Sequence, residues 1–151
     1  MAVRSPRTTA QRKQDTLARL GTDIDCWVAT ADREGNAYLV PLSYSWNGTA
    51  LILATPESSP TGRNLAASGR VRVAVGPTRD VVLVYGRVKA FSQSSVPSSV
   101  AEGFAAKHKW DPRKETKPYG FYVVTPERIQ AWREENELKG RDLMLDGEWL
   151  A

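Results

Sequence analysis

AYLVPLSYSWNGTALILATPESSPTGRNLAASGRVRVAVG, residues 37–76, contains the pattern that decides the fold. Two apolar, strand-like runs flank Asn47-Gly48, a dipeptide typical of the type I′ turn of a β-hairpin. The second run ends in a loop rich in hydroxyl groups, and a short apolar pattern through Ala67 predicts one or two turns of helix. RVRVAVG then alternates arginine and valine, as a half-buried strand does.

The rest of the chain continues this pattern of strands, tight turns and short helices. The further elements predicted from periodicity and capping residues are a helix from Thr8 or Thr9 to about Leu20, strands over 26–32, 81–91 and 119–126 with an extended continuation through Trp132, a helix over 95–108, and a C-terminal tail over 141–150. Gly86 is expected to form a bulge in the longest strand. Antiparallel neighbours of this number predict a mostly β, six-stranded barrel with a few short helices, and a sandwich is the alternative.

Length and composition limit the class of protein. The 151 residues fit one domain, which we expect to span residues 8–151 after a disordered segment over residues 1–7. One cysteine and one histidine predict neither an intrachain disulfide nor a metal site, and they favour a cytoplasmic location. No apolar run is long enough for a membrane span. The net charge of +4 comes from scattered basic residues, so nucleic-acid binding is not predicted.

The loop after the second run is unusually rich in groups that bind anions. Hydroxyl, amide and guanidinium side chains follow one another there, and they are Thr55, Ser58, Ser59, Thr61, Arg63 and Asn64. Hydroxyl groups and the free N–H groups at a helix start are donors for a phosphate, and a cation strengthens the interaction. The loop therefore predicts a phosphate seat; the alternative is a solvated loop with an ordinary helix cap.

WVATADREGNAYLVPLSYSWNGTALILATPESSPTGRNLAASGRVRVAVG, residues 27–76, resembles the N-terminal half of the pyridoxamine 5′-phosphate oxidase-like flavoproteins. The shared scheme is a strand with Ala-Thr, a glycine turn, Pro-Leu in an aromatic strand, Trp-Asn-Gly, a strand ending in Ala-Thr, a serine-containing loop, Arg-Asn-Leu and a valine-rich strand. The resemblance covers residues 26 to about 90 well, and the remainder agrees in the order of its elements. It implies the flavin- or deazaflavin-binding split β-barrel.

The resemblance also implies a homodimer with a flavin between the subunits. The flavin ring would lie against Pro41, Leu42, Ser43 and Tyr44, and its phosphate would lie at the hydroxyl-rich loop. Trp132 and Arg141 would border the pocket of a small organic substrate; the alternatives are a core aromatic residue and a surface cation. No side chain is identified as a catalytic acid or base, and the flavin would carry out the hydride chemistry.

The cofactor itself is less defined by the sequence. Many family members have Ser-Arg-Lys where this chain has Ser59-Pro60-Thr61, so two phosphate-binding cations are missing. Arg63, Arg79 or a residue of a partner subunit would have to replace them. FMN is the first expectation, and the deazaflavin coenzyme F420, with its singly charged phosphate diester and acidic tail, is the alternative. A non-catalytic flavin-binding protein and a haem-binding relative with His108 as the axial ligand are further alternatives.

Overall fold

Strands are the most abundant regular element in residues 4–151, the part of the chain that the computed structural model describes. The elements in chain order are α1 (Thr9–Thr22), β1 (Asp25–Ala31), β2 (Ala37–Trp46), β3 (Leu51–Pro56), α2 (Pro60–Ser68), β4 (Arg70–Val75), β5 (Val81–Phe91), α3 (Ser98–His108), β6 (Tyr119–Trp132), β7 (Asp142–Leu145) and β8 (Glu148–Trp149). Short 3₁₀ turns occupy Pro112–Lys114 and Glu135–Glu137. No helix in the described range is long and apolar enough to cross a bilayer.

The first six strands close into an antiparallel barrel. Their order is β3-β2-β1-β4-β5-β6, and β6 pairs again with β3, so the ring has no open edge. The six-stranded split barrel predicted from the sequence is thereby confirmed, and the sandwich is excluded. The predicted bulge at Gly86 is also confirmed, because the register between β5 and β6 shifts between Tyr85 and Gly86.

Side chains from alternate positions of the strands fill the barrel. The inward set comes from all six strands and includes Val28, Tyr44, Leu53, Val73, Val84 and Val124. A second apolar cluster lies outside the barrel, where Phe104 of α3 packs on Ile52 and Phe121. Because β3 is covered by core on one face and by α3 on the other, Leu51 to Thr55 are all buried, which explains its continuous apolar run.

Helix α2 lies between β3 and β4 and contacts β1, β2, β3 and β5. Ser59 caps it by accepting a hydrogen bond from the Gly62 N–H, and Pro60 occupies its first turn, where the missing N–H has no cost. Gly62 packs so closely that an added Cβ would lie 2.5 Å from the carbonyl oxygen of Pro56. Gly69, with φ of 64°, ends the helix in the left-handed region.

An ionic cluster joins the N-terminal segment to the chain after β6. The Arg7 guanidinium donates to both carboxylate oxygens of buried Glu137. Buried Arg12 donates to the carbonyl oxygens of Ala131 and Glu137. Of the segment expected to be disordered, residues 1–3 lie outside the described residues, whereas Arg7 is held in place by these contacts.

Two turns differ from the sequence expectation. The loop after β2 is not a two-residue type I′ turn: Gly48 has φ of 100°, but Asn47 keeps a negative φ. Instead the Asn47 Oδ1 accepts from the N–H groups of Thr49 and Ala50 and so stabilises a longer loop. The type I′ geometry occurs at Asp146-Gly147, whose φ values are 51° and 78°. The expected C-terminal tail is therefore the hairpin β7–β8.

Candidate functional site

Several hydroxyl groups of the loop between β3 and α2 already form hydrogen bonds within the loop itself. The Ser59 hydroxyl donates to the Pro56 carbonyl oxygen at 2.8 Å while it accepts from Gly62, so it acts as a cap. Thr55 is buried, with its hydroxyl 3.4 Å from that of Ser59. Thr61, although predicted as a phosphate ligand, is also buried, because its position on α2 turns it away from solvent. Ser58 is exposed.

Two polar side chains of α2 remain available for a ligand. Arg63 is exposed; its Nη1 donates to the Ser58 carbonyl oxygen at 3.1 Å, and no carboxylate in residues 4–151 pairs with it. Asn64 donates to the Thr30 hydroxyl of β1 at 3.2 Å, which links α2 to β1. The loop thus retains one free positive charge at a helix start, where the helix dipole also attracts an anion.

The four residues of β2 that are predicted to face a flavin ring lie on two opposite faces of the strand. Pro41 and Ser43 point outward: Pro41 is exposed opposite Trp27, and the Ser43 hydroxyl donates to Asp25 at 2.8 Å. Leu42 and Tyr44 point inward, because side chains alternate along a strand. Tyr44 is fully buried in the barrel core and its hydroxyl donates to the Arg19 carbonyl oxygen, so the structure removes it from the ring face.

Large apolar side chains are exposed on the outward face of β1 and β2. Trp27 is 51% exposed and Leu39 is 62% exposed. Together with Pro41 these residues form what we term the outer apolar face. Exposed apolar residues that are contiguous in this way are typical of surfaces that another molecule covers.

An arginine-lined groove with a volume of about 580 Å³ lies beside that face. Its floor comes from β1, β4 and β5, and Arg70, Arg72 and Arg87 border it. Arg87 pairs with Glu127, whereas neither Arg70 nor Arg72 meets a carboxylate within the described chain. The Arg72 guanidinium stacks 4.0 Å from the ring centroid of Tyr85. Thr30 lines the groove as well, so Asn64 connects it to α2.

Three predicted site residues lie elsewhere. Arg79 is in the β4–β5 turn and forms an ion pair with Glu134. Trp132, with Arg141 5.8 Å from its ring centroid, is at the end of β6 opposite Val81. Thr55 pairs with Gly120 at the other end of β6. Since twelve residues of strand separate these positions, roughly 40 Å of chain contour lies between them, and one protomer does not bring them together.

Tyr122 is a residue that the sequence reasoning missed. An added Cβ at Gly62 would lie 2.9 Å from its hydroxyl, and one at Gly120 would lie 2.4 Å from it, so two glycines make room for this side chain below the loop. Burial, together with the nearby Glu57, raises the pKa of Tyr122 to about 12, so the phenol stays protonated. The signal in the sequence was Gly120, whose missing side chain marks a close approach.

Neither Cys26 nor His108 offers catalytic chemistry in this arrangement. Burial raises the pKa of the Cys26 thiol to about 12, so a thiolate is strongly disfavoured. The His108 Nε2 lies 2.8 Å from the Tyr44 carbonyl oxygen, and its ring packs 4.5 Å from that of Phe104. Residues 4–151 contain no cluster of histidine, cysteine and acidic side chains that could hold a metal ion.

The chain matches one known protein family over most of its length. The family model described as pyridoxamine 5′-phosphate oxidase matches residues 18–133, which include the barrel from β1 through β6. No curated protein matches the chain.

Solved structures with the same fold carry diverse descriptions. A putative pyridoxamine 5′-phosphate oxidase from Listeria innocua is similar over 81% of this chain and 98% of its own, with 12% identity and a TM-score of 0.66. An F420 reductase is similar over 74% and 93%, with 17% identity and a TM-score of 0.59. A haem-binding protein from Mycobacterium smegmatis is similar over 97% and 60%, with 19% identity and a TM-score of 0.64. At such identities the likeness establishes the fold alone.

Proposed function

The chain belongs to the pyridoxamine 5′-phosphate oxidase family, and from this we propose that it is a flavin-dependent oxidoreductase that binds FMN between two copies of itself. The single observation that carries the proposal is that β1 contributes both to the outer apolar face, through Trp27, and to the wall of the arginine-lined groove, through Ala29. An apolar face suits an aromatic ring system, and unpaired cations at its border suit a phosphate.

The residues of the β3–α2 loop fit a flavin phosphate, but fewer of them are available as phosphate ligands than the sequence predicts. Arg63, in the first turn of α2, would bind the phosphate, with Ser58 as an exposed hydroxyl. Pro41 and Ser43 would orient the ring. When bound, FMN would supply the hydride transfer, and the protein would supply binding, orientation and exclusion of water.

A second copy is part of this proposal for a geometric reason. The loop at Thr55 and the predicted substrate-pocket residues Trp132 and Arg141 occupy opposite ends of β6. A site that contains both sets requires one set from each of two protomers. The outer apolar face offers the surface on which the second protomer would pack.

The deazaflavin coenzyme F420 is the second candidate cofactor, and one observation favours it. Arg70 and Arg72 have no acidic partner in the described residues, so the groove could bind an anionic tail that FMN does not have. A haem-binding role has less support, because His108 is already engaged with Tyr44 and Phe104.

The test is direct identification of the ligand. We would denature the purified protein, identify any released cofactor by mass spectrometry, and titrate the cofactor-free protein with FMN and with the deazaflavin at low and high salt. Nanomolar FMN binding supports the proposal. Tighter deazaflavin binding that weakens steeply with salt, as exposed arginines require, would replace FMN by the second candidate. Binding of neither cofactor would refute the proposal.

Arg63→Ala provides the residue-level check. Loss of one charge-assisted hydrogen bond should weaken FMN binding about tenfold to a hundredfold. Lys109→Ala, which removes an exposed cation at the end of α3, is the control and should leave the affinity unchanged. Equal affinities for both variants would place the phosphate away from α2.

A further inference from the structure

A second cavity lies between α3 and the outer surface of the β2–β3 hairpin. Its volume is about 340 Å³. Ile52 forms part of its floor, Val100 and Gly103 border it from α3, and an added Cβ at Gly103 would meet nothing within 4 Å. The cavity therefore has room and an apolar wall for a small organic molecule.

Ser45 and Asn47 supply this cavity with donor groups that have no partner among the described residues. Ser45 is 7% exposed, and its hydroxyl forms no hydrogen bond with any described residue. The Asn47 Oδ1 is fully used by Thr49 and Ala50, so its amide N–H₂ is the group left for a ligand. Because the Ser45 hydroxyl has no protein partner and borders the open cavity, it is free to donate to a ligand there.

Lys107 adds a positive charge. It lines the cavity, and its Nζ donates to the Asp23 carbonyl oxygen and lies 4.3 Å from the ring centroid of Tyr44. Burial lowers the pKa of Lys107, an effect that Asp23 and Asp25 oppose from the neighbouring segment. Neither Asp nor Glu lines the cavity, so its own walls do not neutralise the ammonium group.

We propose that this cavity binds a small organic monocarboxylate, with the carboxylate on Lys107 and Ser45 and the apolar part against Ile52 and Val100. A phosphate ester fits less well, because a dianion calls for more than one cation. Ser45 lies on the outward face of β2 with Pro41 and Ser43, where the flavin ring is proposed. That the carboxylate is the substrate rests on the proposed function, but that it binds here does not.

The experiment uses the cofactor-free protein, so it is independent of the flavin. We would titrate benzoate and its neutral counterpart benzamide and follow the backbone amides of Ser45 and Gly103 by NMR. We expect saturable shifts with benzoate and binding at least tenfold weaker with benzamide, because the ammonium group recognises the charge. Phenyl phosphate serves as the dianionic probe and should not exceed benzoate in affinity.

Two variants test the residues without threatening the fold. Lys107→Met should weaken benzoate binding at least tenfold, while Lys109→Met, at an exposed position outside the cavity, should leave it unchanged. Gly103→Leu should abolish binding by filling the cavity, and it should preserve or raise the melting temperature because leucine favours a helix more than glycine does.

The proposal is overturned by any of the following results. One is the absence of saturable benzoate shifts at Ser45 and Gly103. Another is equal affinity for benzoate and benzamide, or an unchanged affinity in Lys107→Met. The last is tighter binding of phenyl phosphate, which would assign the cavity to phosphate esters.

Discussion

The Glu137 carboxyl, which lies in the ionic cluster with Arg7, has a strongly lowered pKa. Hydrogen bonds from Arg7, together with the backbone N–H groups of Arg7 and Arg133, lower the pKa of its carboxyl from 4.5 to about 2. The folded state therefore binds the Glu137 proton less readily than the unfolded state does. Its contribution to stability is complete above about pH 4.5 and is lost as the pH falls toward 2.

Glu137→Gln should lower the free energy of unfolding at pH 7 by about 3 kcal/mol, because it removes a charge held by Arg7. The difference from the unsubstituted protein should shrink as the pH falls from 5 to 2. Urea unfolding at several pH values measures it. Glu134→Gln is the control, since its ion pair with Arg79 is exposed and should contribute below about 1 kcal/mol. A difference that is independent of pH would contradict the assignment.

Gly62 and Gly103 are both helical glycines in opposite surroundings. Gly62→Ala would place a Cβ 2.5 Å from a backbone oxygen that does not yield easily, so we expect a loss of about 1–3 kcal/mol in unfolding free energy. Gly103→Ala meets open space and should stabilise the protein by up to about 1 kcal/mol. Thermal or urea unfolding of the two variants side by side decides the matter; equal effects would mean that α2 shifts to accommodate the methyl group.

At the scale of elements, the hairpin β7–β8 depends on its two-residue turn. Leu145 pairs directly with Glu148, so Asp146 and Gly147 must both take positive φ. Gly147→Ala should cost about 1–2 kcal/mol, since a Cβ disfavours that region. Gly21→Ala, in α1 with space around it, is the control. Hydrogen exchange should show faster opening near Leu143 in Gly147→Ala alone; uniform protection would show that the hairpin tolerates the change.

The sequence predicts those elements whose local pattern and tertiary environment agree. The bounds of β5, predicted over 81–91, are confirmed to the residue, because turn residues delimit the strand. The type I′ turn was assigned to Asn47-Gly48 and missed at Asp146-Gly147. Both dipeptides carry the same local signal, and the choice between them depends on the paired strands, which the sequence alone does not show.

The sequence predicts the position of the loop at the candidate site, but it predicts only some of the side chains that face a ligand there. Locating the loop needs only the order of elements, and the structure finds it between β3 and α2. Which hydroxyl faces a ligand depends on the orientation of α2 and on the face of β2, and this is why Thr61 and Tyr44 turn inward. Trp132 and Arg141 were joined to the loop through the family resemblance, and within one protomer β6 keeps them apart.

At the scale of the whole molecule, the outer apolar face makes the proposed dimer testable. Trp27→Glu should produce a monomer at micromolar concentration and weaken FMN binding, because a charge in place of the indole opposes burial of this face. Size-exclusion chromatography with light scattering gives the mass. Leu150→Glu alters an exposed apolar residue on the C-terminal segment and is the matched control. A Trp27→Glu protein that is still dimeric would place the interface elsewhere.

The exposure of Trp27 should also affect the tryptophan fluorescence of the protein. Of the five tryptophans, Trp27 is half exposed in the single protomer, and the other four are mostly covered by their own chain. Its indole is the one whose contact with water would change most when two protomers meet. Dilution should therefore shift the fluorescence emission to longer wavelength, and the shift should vanish in Trp27→Phe, so the chain contains its own spectroscopic reporter of assembly.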